Sequence, residues 1–281
     1  TKQHPIKGIE KLGFSLEQTE DGIIVDGSIE AGEYFMPGDI SSQFITGMII
    51  ALSQIPGESK INITTKIESR PYVDLTLETI KNFGIEAGWV SDDSILIRGG
   101  KSGHGCDFSV EGDWSGAAFM LALNHLGGKV TVDRLKESSL QPDRACTEYF
   151  HMLDRSFCEI NIEDCPDLGP ILFSLAAAKR GARFIGTKRL QIKESDRALA
   201  MQTELKKFGA ELIIEDNAVT VSATTLHIPT EPLYGHNDHR IVMALAILCT
   251  LYGGTISGCD AVAKSYPDFW NDLISLGIKV S

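Results

Sequence analysis

PDLGPILFSLAAAKRGARFIGTKRLQIKESDRALAMQTELKKFGAELI, residues 166–213, holds two kinds of helix in tandem. The first half is a polar turn, a small-residue apolar helix with little charge, a Gly-containing turn and a strand (166–185). An apolar helix with so little charge belongs inside a domain. The second half (195–213) is amphipathic, and Leu199, Met201, Leu205 and Phe208 mark its apolar stripe. Gly209 supplies the left-handed stop, and a β-like run follows.

Both halves recur. The apolar unit is repeated at 41–63, 113–132 and 237–258, and all four of its helices read as buried. The amphipathic unit is repeated at 4–17, 70–87, 142–160 and 266–280. Gly13, Gly84, Gly209 and Gly277 end four of the five copies, and Ser156-Phe157-Cys158 replaces the glycine in the other. A β-like segment is expected after each stop. Joined, the units predict an α/β chain of helix–strand–helix–strand repeats. The chain opens on the second half of a repeat, at Pro5. The expectation is an N-terminally truncated piece of a longer protein, although a natural N-terminus with a partial repeat gives the same pattern. Val110-Glu111-Gly112-Asp113 has no repeat character and predicts a boundary between domains 1–111 and 112–281.

With 281 residues, 43% hydrophobic and 23% charged, the chain can bury large cores and is not a disordered one. The formal net charge of −12 argues against duplex nucleic acid and against an anionic membrane surface as partners. It leaves room for a small anionic ligand in a local cationic pocket. The longest apolar stretch, 241–251, is too short to span a bilayer. The six cysteines at 106, 146, 158, 165, 249 and 259 contain no C-x-x-C pair. They read as reduced and mostly packed thiols of a reducing, cytoplasmic compartment. No metal ligand set and no cofactor motif emerges.

The unusual polar residues cluster just before helices, where free N–H groups and the helix dipole favour anions. Each cluster admits a plainer reading as well. Ser41-Ser42-Gln43 suits a phosphate, or is an N-cap. Lys193-Glu194-Ser195-Asp196-Arg197 has the spacing to share a helix face, and such a run is usually a solvated ion-pair surface. Asn237-Asp238-His239-Arg240 crowds polar groups against an apolar helix, or caps it through Asp238. Asp167 stands at an equivalent helix start, where a cap is again the plainer role. Lys264 precedes Tyr266-Pro267 and by itself reads as surface.

Taken in order, GDISSQF (38–44), SRPYVD (69–74), EGDWSGAAF (111–119), PDLGPIL (166–172), IKESDRALAM (192–201), NDHRIVMA (237–244) and KSYPDF (264–269) resemble the 5-enolpyruvylshikimate-3-phosphate synthase family. The resemblance covers nearly the whole chain. It implies an α/β fold of two domains built from βαβαββ units, an inside-out α/β barrel, with the first domain incomplete here. It also implies enolpyruvyl transfer from phosphoenolpyruvate to the 5-hydroxyl of shikimate 3-phosphate, without cofactor or metal, by a cytoplasmic monomer.

By the same resemblance, Ser41, Ser42 and Ser69 hold the shikimate phosphate, Gln43 lies between both substrates, and Tyr72 lies beside the ring. Asp167 holds the 4- and 5-hydroxyls and takes the 5-hydroxyl proton. Lys193 bridges the shikimate phosphate and the reacting centre, and Glu194 handles the proton at the methylene carbon. Arg197, Arg240 and Lys264 hold phosphoenolpyruvate. Arg189 also falls among the shikimate-phosphate ligands, but it and Gln191 stand where family members vary. Further phosphoenolpyruvate ligands of the family lie upstream of Thr1, so the chain alone is expected to turn over poorly. Two alternatives remain. One is the sister transferase acting on a UDP-amino sugar. The other is a non-catalytic repeat scaffold, which would scatter the polar turns instead of gathering them in an interdomain cleft.

Overall fold

The computed structural model describes residues 15–19, 21–100 and 103–281. The first amphipathic copy therefore lies mostly outside the described residues, Gly13 included. The chain divides into two compact units, Thr1–Ser109 and Val110–Ser281.

In the first unit, β1 (Ser15–Gln18) and β2 (Ile23–Asp26) form an antiparallel pair. A βαβαββ unit follows: β3 (Glu33–Met36), α1 (Ser42–Ser53), β4 (Gly57–Ile63), α2 (Arg70–Asn82), β5 (Glu86–Ser91) and β6 (Ser94–Gly99). Its sheet runs β3-β4-β6-β5, with β3 and β4 parallel and the other pairs antiparallel. Ile45, Ile49, Leu52, Ile61, Val73, Ile95 and Ile97 form a core between helices and sheet.

The second unit starts with two helices, α3 (Trp114–His125) and α4 (Cys146–Arg155). It then repeats the same topology with β7 (Glu159–Asn161), α5 (Gly169–Ala178), β8 (Ala182–Ile185), α6 (Arg197–Lys206), β9 (Leu212–Ile214) and β10 (Ala218–Val221). The sheet order is β7-β8-β10-β9, and β7 and β8 are again the parallel pair. A shorter copy follows: β11 (Leu233–Tyr234), α7 (His239–Tyr252), β12 (Ile256–Ser257) and α8 (Phe269–Ser275), with β11 parallel to β12. Both four-stranded sheets are open, and neither closes into a barrel.

The glycine stops are present. Gly84, Gly209 and Gly277 have φ of 77°, 89° and 88°. At Gly84 and Gly209 the later chain returns in the same way: His104 N donates to Phe83 O, and His227 N donates to Phe208 O, each at 3.0 Å. Ser156 instead closes its helix with extended backbone, φ −164°.

Three expectations change. The run 129–132 after α3 is not a strand. Asn124 explains the exception locally, because its side-chain amide bonds both the N–H and the C=O of Val130 and so occupies groups a neighbouring strand would need. No strand follows Gly277 either. Finally, the apolar helices are not equally buried. Residues 169–177 of α5 and 239–248 of α7 are entirely buried, whereas α1 exposes Gln43, Gly47 and Ile50. In the second unit α3, α5 and α7 pack on one another, so each is covered on several sides. The first unit has one helix of this type among the described residues, packed on α2 and the sheet. No helix among the described residues is long and apolar enough to cross a membrane.

Candidate active site

The topology places the polar turns by one rule used three times. Adjacent parallel strands leave a sheet at the same edge, so the loops after their carboxyl ends are neighbours. After β3 and β4 come Ser41-Ser42-Gln43 and Ser69. After β7 and β8 come Asp167 and Lys193–Arg197. After β11 and β12 come Asn237–Arg240 and Lys264.

In the first unit the two edge loops are tied together. Thr65 Oγ1 accepts from Gly38 N at 2.8 Å and from Asp39 N at 3.2 Å, and donates to Asp39 Oδ1 at 2.8 Å. Ser41 is the N-cap of α1, its hydroxyl accepting from Gln43 N at 3.2 Å. Capping and anion binding are compatible, since a cap satisfies only one of several free N–H groups. Ser42 is buried at the first helical position, and Gln43 is exposed. Ser69 is buried at the N-cap of α2 with φ 54°, in the left-handed region that costs a non-glycine residue about 1–2 kcal/mol. Tyr72, half-buried, lies one turn into α2.

The second unit holds a charged cluster. Arg197, at the start of α6, is 1% exposed. Its Nε donates to Asp238 Oδ2 at 2.9 Å, its Nη1 to Asp167 Oδ1 at 2.6 Å, and its Nη2 to Glu194 Oε2 at 2.8 Å. The run 193–197 is therefore not one solvated helix face. Asp196 caps α6 through Leu199 N, so Lys193 and Glu194 precede the helix and fold back toward Arg197. Lys193 Nζ lies 3.2 Å from Asp167 Oδ1, and Arg240 Nη2 lies 3.5 Å from Asp167 Oδ2.

Asp167 thus faces three cations. It sits in the short 3₁₀ turn Pro166–Leu168 before α5 and makes no cap. Burial pushes its carboxyl up, but Lys193, Arg240 and Arg197 override burial and hold it well below the ordinary carboxylate range. Asp238 is fully buried and caps α7 by accepting from Arg240 N at 2.9 Å. Burial raises its pKa as well, and Arg197 brings it below the usual value. Burial, then the nearby Arg240, lowers the pKa of His239 and so disfavours its charged form.

Arg240 is buried against Phe119, its guanidinium carbon 5.8 Å from the ring centre. Its Nε has no hydrogen-bond partner among the described residues, so donors remain for an anion. Lys264 is exposed at the end of the 3₁₀ turn Cys259–Lys264, its ammonium donating to Asn237 Oδ1 at 2.8 Å and to the Asn237 carbonyl. Arg189 is half-buried in the 3₁₀ turn Lys188–Ile192.

Two supporting features escape sequence reading. Glu204, 1% exposed in α6, accepts from Tyr234 N and Lys207 Nζ at 2.9 Å and bonds His236 Nε2 at 2.8 Å. It anchors His236, which with Asn237 has left-handed backbone, φ 50° and 53°. Among the described residues, three of the four positive-φ non-glycine residues, Ser69, His236 and Asn237, thus stand just before these helices. The charged surroundings of Glu204 in TELKK gave no sign of burial. Asp238 was visible as a cap, but its pairing with Arg197 requires residues 41 positions apart to meet.

The fold matches EPSP synthase from Acinetobacter baumannii with a TM-score of 0.79 at 20% identity, over 98% of this chain and 70% of that one. It also matches the enolpyruvyl transferase NikO from Streptomyces tendae with a TM-score of 0.69 at 16% identity, over 99% of this chain and 72% of that one. The family model of EPSP synthase (3-phosphoshikimate 1-carboxyvinyltransferase) matches residues 3–273, and the chain belongs to that family. It is 39% identical over 270 residues to the 3-phosphoshikimate 1-carboxyvinyltransferase of Clostridium acetobutylicum, covering 90% of this chain and 63% of that relative. The corresponding protein of Clostridium beijerinckii is 36% identical over 284 residues, 92% of this chain and 65% of the relative. The chain therefore spans just under two thirds of the length of these curated relatives.

Proposed function

We propose that this chain carries part of the machinery that transfers the enolpyruvyl group of phosphoenolpyruvate to the 5-hydroxyl of shikimate 3-phosphate, with release of phosphate. The observation that supports this most is Asp167 among Lys193, Arg197 and Arg240, at 2.6–3.5 Å. Arg197 is matched by Asp238 and Glu194, whereas Lys193 and Arg240 share the single Asp167 carboxylate and, with Lys264, supply the positive charge for two multiply anionic substrates.

The cluster also supplies a base that is switched on by binding. At rest, Asp167 is held ionised and weakly basic. As a phosphate or carboxylate draws Lys193 and Arg240 to itself, Asp167 loses partners and its affinity for a proton rises. It then accepts the proton of the 5-hydroxyl as the oxygen adds to C2 of phosphoenolpyruvate. Glu194, the more exposed carboxyl, is released from Arg197 as substrate takes its place, enters the step protonated and delivers that proton to the methylene carbon. In the resulting tetrahedral adduct Glu194 takes a proton back from that methyl carbon as the double bond re-forms, and the departing phosphate carries off the proton held by Asp167. The two carboxyl groups sit in different environments, as an acid and a base in one reaction must.

Arg240, with donors to spare, and Lys264 hold phosphoenolpyruvate. Arg197 meets the same ligand by exchanging Glu194 for it, its other nitrogens staying on Asp167 and Asp238. Lys193 and Arg189 hold shikimate 3-phosphate in the second unit; in the first unit its ligands are Ser41, Ser42, Ser69, Gln43 and Tyr72. Gln43 also touches phosphoenolpyruvate. This reading has domain 1–111 rich in shikimate-phosphate ligands and domain 112–281 rich in reacting groups. It has the protein working as a cytoplasmic monomer; six thiols, none in a disulfide, fit a reducing compartment.

Calorimetric titration with shikimate 3-phosphate tests the reading. Saturable binding that is abolished by Ser42→Ala with Lys193→Ala supports it, and the absence of binding at millimolar ligand overturns the ligand assignment. In the full-length enzyme, Asp167→Ala should lower kcat far more than it raises KM.

A further inference from the structure

His125, His151 and Asp154 form a group that none of the chemistry above uses. His125 ends α3, and His151 and Asp154 lie three apart on α4. One ligand atom from each lies within 4.8 Å of the other two. His125 Nδ1 and Asp154 Oδ2 are already 2.6 Å apart. The His125 and His151 rings stand edge to face, with centres 5.1 Å apart and planes at 73°.

We propose that these three residues bind a divalent transition-metal ion of the zinc type, independently of the enolpyruvyl chemistry. Two imidazoles on one tetrahedral zinc, at Zn–N distances of ~2.0–2.1 Å, put their ring centres about 5 Å apart. The rings here already hold that separation. Two His and one carboxylate is a ligand set that zinc accepts while keeping a fourth position for water. Imidazole-rich sites also disfavour magnesium and calcium, which take oxygen ligands.

The surroundings are those of a metal site. His125 is packed edge-on against Phe150, with ring centres 5.3 Å apart, which fixes its plane. Lys179 Nζ holds Asp154 Oδ1 at 2.9 Å and leaves Oδ2 to face the histidines. A ligating carboxylate held by a second partner in this way is the usual outer arrangement of metal sites. The C-terminal end of α3 adds partial negative charge beside the cation. The metal replaces the proton between His125 Nδ1 and Asp154 Oδ2, the two atoms parting from 2.6 Å to about 3.3 Å to hold it, and exposed His151 turns in to close the third bond. The bound ion ties the end of α3 to α4 at the surface of the second unit.

Zinc chloride titrated into the 281-residue chain carrying Cys106→Ser and Cys259→Ser, which removes the exposed thiols, should show one saturable site. His151→Ala should weaken it by more than the ~10–100-fold typical of losing an outer-shell partner. Cobalt(II) should give the visible bands of a four-coordinate site, lost in His151→Ala. Since His151 is exposed, that variant folds as the parent does, and His125→Gln gives an independent second loss. Absence of saturable zinc binding overturns the site. So does binding whose affinity is unchanged in both histidine variants.

Discussion

Arg197 and Asp238 form an ion pair shut off from solvent, with Nε and Oδ2 at 2.9 Å and exposures of 1% and 0%. Removing one member leaves the other charged and buried, which costs about 3–5 kcal/mol. Arg197→Ala and Asp238→Ala should each lower stability by that order in urea unfolding. Asp238→Ala loses the α7 cap as well, worth about 1 kcal/mol. The double variant should be less destabilised than the sum of the two, because no orphaned charge remains.

Acid should weaken the chain through the same carboxylates. Asp167 and Asp238 are both held below the ordinary value, so the unfolded chain takes up protons first as pH falls. Their contribution is complete above the unfolded carboxylate pKa of about 4 and fades as pH drops through the lower native values. The urea midpoint measured from about pH 5 to pH 3 should therefore fall. The slope should be shallower in Asp167→Asn and Asp238→Asn. An unchanged slope in both would show that neither carboxyl is depressed.

Glu204 is expected to control the loop 234–240 from beneath. Its carboxylate holds Tyr234 N, Lys207 and His236 while His236 and Asn237 stay left-handed. Glu204→Ala leaves the partly buried Tyr234 N–H and His236 without their acceptor, at about 1 kcal/mol. Amide hydrogen exchange should accelerate across 234–240 and at Lys264, which is bound to Asn237. Exchange in β3–β6 should not change.

The helix stops give a matched pair of backbone tests. Gly84 and Gly209 lie at φ 77° and 89°, and a Cβ on either would meet an exposed His ring, His104 or His227. The rings can turn aside, so backbone conformation sets the cost. Gly84→Ala and Gly209→Ala should each destabilise by about 1–2 kcal/mol. Adding His104→Ala or His227→Ala should recover little of it, as thermal unfolding would show.

Much of the fold was legible because glycine stops and apolar periodicity act within a few residues. α2, α4, α6 and α8 all fall inside the amphipathic copies. The sheets were less legible: the order in which β6 and β10 insert beside β4 and β8 depends on pairings no local pattern encodes. The site divides in the same way. Crowded polar turns marked Asp167, Lys193, Arg197 and Arg240 as candidates. Local spacing put Lys193 and Arg197 on one helix face, whereas Asp196 starts the helix after Lys193. The burial of Glu204 depends on Tyr234 and His236, 30 and 32 residues away.

The amide of Asn124 bears on self-association. Lys129-Val130-Thr131-Val132 is rich in residues that favour strands, yet no strand lies beside it. Such a run, left with open N–H and C=O groups, is a template for another chain. By occupying both groups of Val130 at its middle, Asn124 blunts that template intramolecularly. Asn124→Ala should therefore leave the chain folded but make it aggregate with rising concentration, with light scattering as the readout.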